Sequence, residues 1–126
     1  MCDTEEKAEK IVIVATHGGE DPERASLPFV MGNAALALEA EVTVVLQSTA
    51  VTLAKKGCYE HVFAAGLPPL KELVDTFVEL GGRILVCMPC IEERKITTDM
   101  LVEQAETTKA GKVVLALLEA DATLSY

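Results

Sequence analysis

Three short apolar runs, Ile-Val-Ile-Val-Ala at 11–15, Val-Thr-Val-Val-Leu at 42–46 and Arg-Ile-Leu-Val-Cys at 83–87, constrain this chain more than any other feature. They are rich in β-branched residues and show little polar alternation, so they read as parallel strands covered on both faces. Helical patterns separate them. Asp21-Pro22-Glu23 opens the first helix, since Asp caps free amides, Pro suits the first helical position and Glu favours the positive end of the dipole. Ala25, Phe29, Leu36 and Ala40 keep to one broad face, and the helix is expected to run to about Leu38. A second helix is expected over 50–56, stopped by Gly57, and residues 61–64 read as a short strand or a connector.

Leu67-Pro68-Pro69 starts another helix, in which Leu70, Leu73, Val74, Phe77, Val78 and Leu80 recur at helical spacing until Gly81-Gly82. Thr97-Thr98-Asp99 is expected to start a shorter helix. Residues 112–118 suit a strand by composition, but Ala110, Val113, Val114, Leu117 and Leu118 follow helical periodicity, so a helix through about Ala120 and a last strand over 122–126 are predicted. The alternation predicts an α/β fold: a three-layer α/β/α domain with a mostly parallel, roughly five-stranded, flavodoxin-like sheet. Residues 1–10 read as a flexible acidic leader and 11–126 as the single domain.

Composition narrows the function. The chain has 126 residues, half of them hydrophobic, no Trp and a net charge of −9. One core of Val, Leu, Ile and Ala fits that length, and the charge disfavours nucleic acid and anionic membranes as partners. No apolar run approaches the roughly 20 residues of a membrane span. The run at 11–15 is too short for a signal peptide and follows an acidic stretch, so a cytoplasmic location is expected.

Of the four cysteines, only Cys87 and Cys90 are close in sequence. In a reducing compartment such a pair suggests catalytic, redox or metal chemistry more than a structural disulfide. Open α/β sheets bind ligands beyond the carboxyl ends of their strands, which points to three loops, 16–20, 47–50 and 87–94. Four readings of the pair stand open. A thioredoxin-like motif would follow an early strand, whereas this one comes late; a zinc site needs two more ligands, and Cys58, His17 and His61 lack paired spacing. The others are an inert buried pair and a nucleophile or sulfur carrier, for which a single thiolate suffices. Arg94 and Lys95 are the nearby cations, opposed by Glu92 and Glu93. His17, at the end of the first strand, is a candidate proton donor or anion contact. Cys58 reads as a structural thiol and Cys2 falls in the leader; no metal and no cofactor are assigned.

The segment Cys87-Met88-Pro89-Cys90-Ile91-Glu92-Glu93-Arg94-Lys95-Ile96 resembles the cysteine loop of the DsrE/DsrF-like family, which includes YchN-like and TusD-related proteins. That family often carries Cys-x-x-Cys, three variable residues, then Arg-Gly-Ile or Arg-Gly-Leu; here Lys95 stands at the usual Gly position. The similarity extends to Glu23-Arg24-Ala25, Glu41-Val42-Thr43-Val44, Leu53-Ala54-Lys55-Lys56-Gly57 and Pro69-Leu70-Lys71-Glu72-Leu73, and to the ending from Leu118 to Tyr126. The resemblance implies a cytoplasmic subunit of a homotrimer or homohexamer that carries sulfane sulfur on a cysteine. It implies exchange with TusA-like or rhodanese-type carrier proteins. Cys87 matches the sulfur-binding cysteine and Cys90 the second cysteine found in part of the family, so a Cys87 persulfide or S-thiosulfonate resolved by Cys90 is expected. The competing expectations are a non-catalytic assembly subunit and a small-ligand-binding α/β module.

Overall fold

The computed structural model describes residues 8–126, and the seven before them, with Cys2, lie outside the described residues. Five strands, β1 (Lys10–Ala15), β2 (Glu41–Leu46), β3 (Arg83–Cys87), β4 (Ala105–Thr108) and β5 (Ala122–Ser125), form one sheet in the order β4-β3-β2-β1-β5. Every pairing is parallel. The helices are α1 (Pro22–Ala37), α2 (Leu70–Glu79), α3 (Met88–Glu93) and α4 (Ala110–Glu119). From β1 to β4 the chain steps in one direction across the sheet, and α4 then carries it back past β1 to β5. With right-handed crossovers, that reversal places α4 alone on its face.

The two faces bury different amounts of surface. Ile13, Val44 and Val86 point at α1 and α2, where Phe29 and Phe77 complete the main core. The alternate residues Val12, Val45 and Leu85 meet Val113 of α4 in a smaller cluster. β1 begins at Lys10, the last residue of the expected leader, and the Glu41 N–H donates to the Glu9 carbonyl.

The predicted α1, α2, α4 and four of the strands match the sequence pattern, while two segments differ. Residues Ser48–Ala54 form a 3₁₀ helix rather than an α-helix, although Gly57 does take a left-handed φ of +87°. Residues 62–64 are a connector, one of the two readings open for that segment. The fifth strand is β4, which follows a single 3₁₀ turn Thr98–Met100 where the shorter helix was expected. Non-local bonds decide this: the Lys56 N–H donates to Met100 O (2.8 Å) and the Val102 N–H to Ala54 O (2.7 Å), so this backbone pairs with its neighbour instead of coiling. The buried strip of α4 also differs, running through Val113, Ala116, Leu117 and Ala120 and leaving Val114 and Leu118 exposed. One helix over a strongly twisted five-stranded face covers only a narrow strip.

Candidate functional site

β3 carries Cys87 to the carboxyl edge of the sheet, where it precedes α3 in an extended conformation (φ −64°, ψ 118°). Pro89 lies in the first turn of α3, where its missing N–H costs no helical bond, and Cys90 follows it. Both thiols are free and half-buried, and the Cys90 side chain lies near enough to act on the Cys87 thiol. Burial and then the Cys90 thiol raise the Cys87 thiol above its ordinary range; the Cys90 N–H and the Arg94 guanidinium oppose that rise without cancelling it. Arg94 also donates from Nη1 to the Cys90 carbonyl at 3.1 Å.

A second loop reaches the pair. The Ser48 N–H donates to Cys90 Sγ at 3.3 Å, and Ser48 holds a left-handed φ of +54°. Ser48 is a contact that sequence reasoning missed: loop 47–50 was legible as a candidate, but the bond depends on a backbone conformation that serine rarely signals. The next residue, Thr49, donates through Oγ1 to Thr16 O (3.1 Å) and to Glu20 Oε2 (2.9 Å), while the Gly18 N–H donates to Glu20 Oε1 (2.9 Å). Burial pushes the Glu20 carboxyl up, but the Thr49 hydroxyl, the backbone N–H groups of Glu20 and Gly18, and His17 together hold it below its ordinary value. Gly18 is required by close approach, because a Cβ there would lie 2.6 Å from the Thr49 carbonyl.

The three expected loops therefore meet along one edge, in a chain from Cys90 through Ser48 and Thr49 to Thr16 and Glu20. Arg94 joins the thiol pair. His17 does not: it lies at the end of β1 with its Nδ1 3.3 Å from Thr16 Oγ1, and β2 separates its strand from that of Cys87. At the usual strand spacing that places the two strands roughly 10 Å apart. The reversal point of the sheet, between β1 and β5, is occupied by Thr16, whose N–H and Oγ1 both donate to the Tyr126 carbonyl. Among the described residues, no three His, Cys, Asp or Glu side chains converge in a way that could hold a metal ion, and no helix is long and apolar enough to cross a membrane.

Lys95 explains its own departure from the expected motif. The Ile96 N–H donates to Ile91 O and the Lys95 N–H to Glu92 O, the paired bonds of a Schellman cap, and Lys95 sits at φ +57° where glycine is favoured. The loop thus keeps a glycine-like conformation without glycine. Lys95→Gly is expected to leave the site intact and stabilise the protein by about 1 kcal/mol, read as a rise in the urea midpoint.

Known proteins share this fold. Among solved structures, YchN from E. coli superposes with a TM-score of 0.79 at 22% identity, over 94% of this chain and 99% of that one. MTH1491 from Methanobacterium thermoautotrophicum gives 0.74 at 15% identity, over 95% of this chain and 100% of that one. These likenesses are of fold. In sequence, "Uncharacterized protein MJ0760" of Methanocaldococcus jannaschii is 31% identical over 104 residues, which cover 82% of this chain but only 38% of that protein. MJ0989 of the same organism is 26% identical over 93% of this chain and 99% of its own length. The sequence profile of the DsrE/DsrF-like family matches residues 9–126, from the start of β1 through the cysteine loop to β5. With the parallel sheet and the Cys87/Cys90 loop at its edge, that match makes this chain a member of the DsrE/DsrF-like family.

Proposed function

We propose that this protein is a sulfur-relay subunit that accepts sulfane sulfur on Cys87 and releases it through Cys90. The observation that carries the reading is the juxtaposition of two free, half-exposed thiols at a strand's carboxyl end, with the Ser48 N–H on Cys90 Sγ and Arg94 on the Cys90 carbonyl. The Cys87 thiolate attacks an inner sulfur of a polythionate such as tetrathionate; a Cys87 S–S bond forms, the central S–S bond breaks and thiosulfate leaves, so Cys87 carries an S-thiosulfonate. Attack by the Cys90 thiolate on Cys87 Sγ then forms a disulfide and expels a second thiosulfate. If Cys87 carries a persulfide instead, the same attack expels hydrosulfide, and in relay a partner thiolate takes the terminal sulfur. Burial and the neighbouring Cys90 thiol raise the Cys87 thiol, so loading depends on removal of its proton. Membership of the family supports this reading, and the proposal extends to assembly into trimers or hexamers and exchange with TusA-like or rhodanese-type carriers in the cytoplasm.

Intact-mass analysis after incubation with tetrathionate or polysulfide tests it. The native protein is expected to gain sulfur, Cys87→Ser to gain none on this loop, and Cys90→Ser to retain the adduct longer. Unchanged labelling in Cys87→Ser would sink the Cys87 assignment, and no labelling of any protein would leave a non-catalytic assembly subunit as the better account.

A further inference from the structure

Among the described residues, three that are not glycine take a left-handed φ: Glu39, Ser48 and Lys95. Glu39 and Lys95 do so just past the ends of α1 and α3, where helix caps favour that conformation. Ser48 does so at the first residue of a 3₁₀ helix, where no cap calls for it. A side chain held in that region is strained, and it stays there only where its surroundings leave no other choice.

Those surroundings grip both sides of Ser48. On one side the Gln47 N–H donates to the Ala15 carbonyl at 2.9 Å, continuing the pairing of β2 with β1. On the other, the single proton of the Thr49 hydroxyl has two acceptors, and the charged and nearer one is Glu20 Oε2, at 2.9 Å against 3.1 Å to the Thr16 carbonyl. The second oxygen of Glu20 accepts the Gly18 N–H at 2.9 Å, so the carboxylate ties the turn after β1 to the residue after Ser48. The strained angle is the rotation about the Ser48 N–Cα bond. It therefore sets how the amide plane ahead of Ser48 lies relative to Thr49, and that amide is the one that donates to Cys90 Sγ at 3.3 Å. An N–H aimed at sulfur favours the thiolate over the thiol.

We propose that Glu20 is a positioning residue for Cys90: by holding Thr49 it keeps Ser48 in its left-handed turn, and the Ser48 N–H then stabilises the Cys90 thiolate. Glu20 acts through Thr49 and Ser48 and has no hydrogen bond of its own to either sulfur. The titratable and charged groups around Cys90 are Cys87 at the end of β3, Glu92 and Glu93 on α3, and Arg94 just after it, while the 3₁₀ helix Ser48–Ala54 carries no charge. The sulfur-relay reading enters only in what the thiolate then does, which is to attack Cys87 Sγ and expel the leaving group during release.

Alkylation of Cys90 by iodoacetamide across pH, read by site-resolved mass spectrometry, tests this in the full chain carrying Cys87→Ser, where Cys90 is the one thiol left in its loop. Glu20→Ala is expected to raise the midpoint of the Cys90 curve by about one pH unit. The sign is diagnostic, because a carboxylate acting directly through space would disfavour the thiolate, and its removal would lower the midpoint. Thr49→Val should give the same upward shift with the carboxylate still in place, and the double variant no more than either alone. Ser48→Gly in the Glu20→Ala background should recover at least half of the shift, since glycine adopts the left-handed turn without a clamp. A midpoint unchanged or lowered in Glu20→Ala, additive effects of Glu20→Ala and Thr49→Val, or no recovery with Ser48→Gly would overturn the proposal. So would a drop in the urea midpoint of Glu20→Ala that spares the Cys90 curve, the mark of a merely structural carboxylate. With Cys87 restored, the adduct left by tetrathionate should persist several-fold longer at neutral pH in Glu20→Ala than in the native protein. If the native protein forms no adduct, the relay reading falls, while the Cys90 curves still decide the role of Glu20.

Discussion

Alkylation of Cys87 by iodoacetamide is expected to be slow at neutral pH and to accelerate about tenfold per pH unit well beyond the point where an ordinary thiol, near pH 8.5, levels off. The reason is the raised thiol: burial disfavours its anion, and the Cys90 thiol adds to that effect. Reactivity follows the thiolate fraction, so a raised value shifts the whole rate curve to higher pH. The neighbours supply the signs of two further shifts. Arg94 lowers the Cys87 value, so Arg94→Gln should move the curve further up. Cys90→Ala removes a neighbour whose side chain raises it, and should move the curve down. Site-resolved mass spectrometry of the alkylated loop across pH gives all three curves. A Cys87 curve that levels off at or below that of a free thiol, or a downward shift in Arg94→Gln, would contradict this electrostatic account.

Phe77→Ala is expected to cost about 3–5 kcal/mol, enough to unfold a sizeable fraction of a marginally stable domain. Phe77 is fully buried on α2, and its ring meets Phe29 of α1 edge-on, with centroids 5.3 Å apart at 87°. Two glycines make room for that ring. A Cβ at Gly32 would lie 2.8 Å from it and a Cβ at Gly82 only 2.4 Å. Gly82→Ala should therefore destabilise by about 1–3 kcal/mol through overpacking, and by less when Phe77 is already Leu. Urea unfolding of the four proteins in this cycle measures the coupling. Additive effects would show that the ring is not what excludes a side chain at Gly82.

Legibility differed between elements for physical reasons. β1, β2 and β3 were readable because burial on both faces demands unbroken apolar runs, and α2 because its amphipathic repeat ends at Gly81, which takes φ +96°. β4 was not readable. Ala105-Glu106-Thr107-Thr108 is an edge strand whose middle residues are exposed, so neither burial nor alternation marks it. Missing it hid the strand that pairs with β3, on which Thr108 is the register partner of Cys87.

The same division runs through the site. Local chemistry placed Cys87 at a strand end, Cys90 just beyond it and Arg94 close by, because a strand followed by Pro and a short helix carries its own geometry. Periodicity likewise set the parallel α/β class. Only the folded sheet decided that Ser48 reaches the thiol pair, that Thr108 lies in register with Cys87 and that His17 lies two strands away. Those relations depend on strand order, on the pairing of Cys87 with Thr108 and on the left-handed turn at Ser48. Each arises from hydrogen bonds between residues about twenty to forty positions apart, and such bonds leave no periodic trace along the chain.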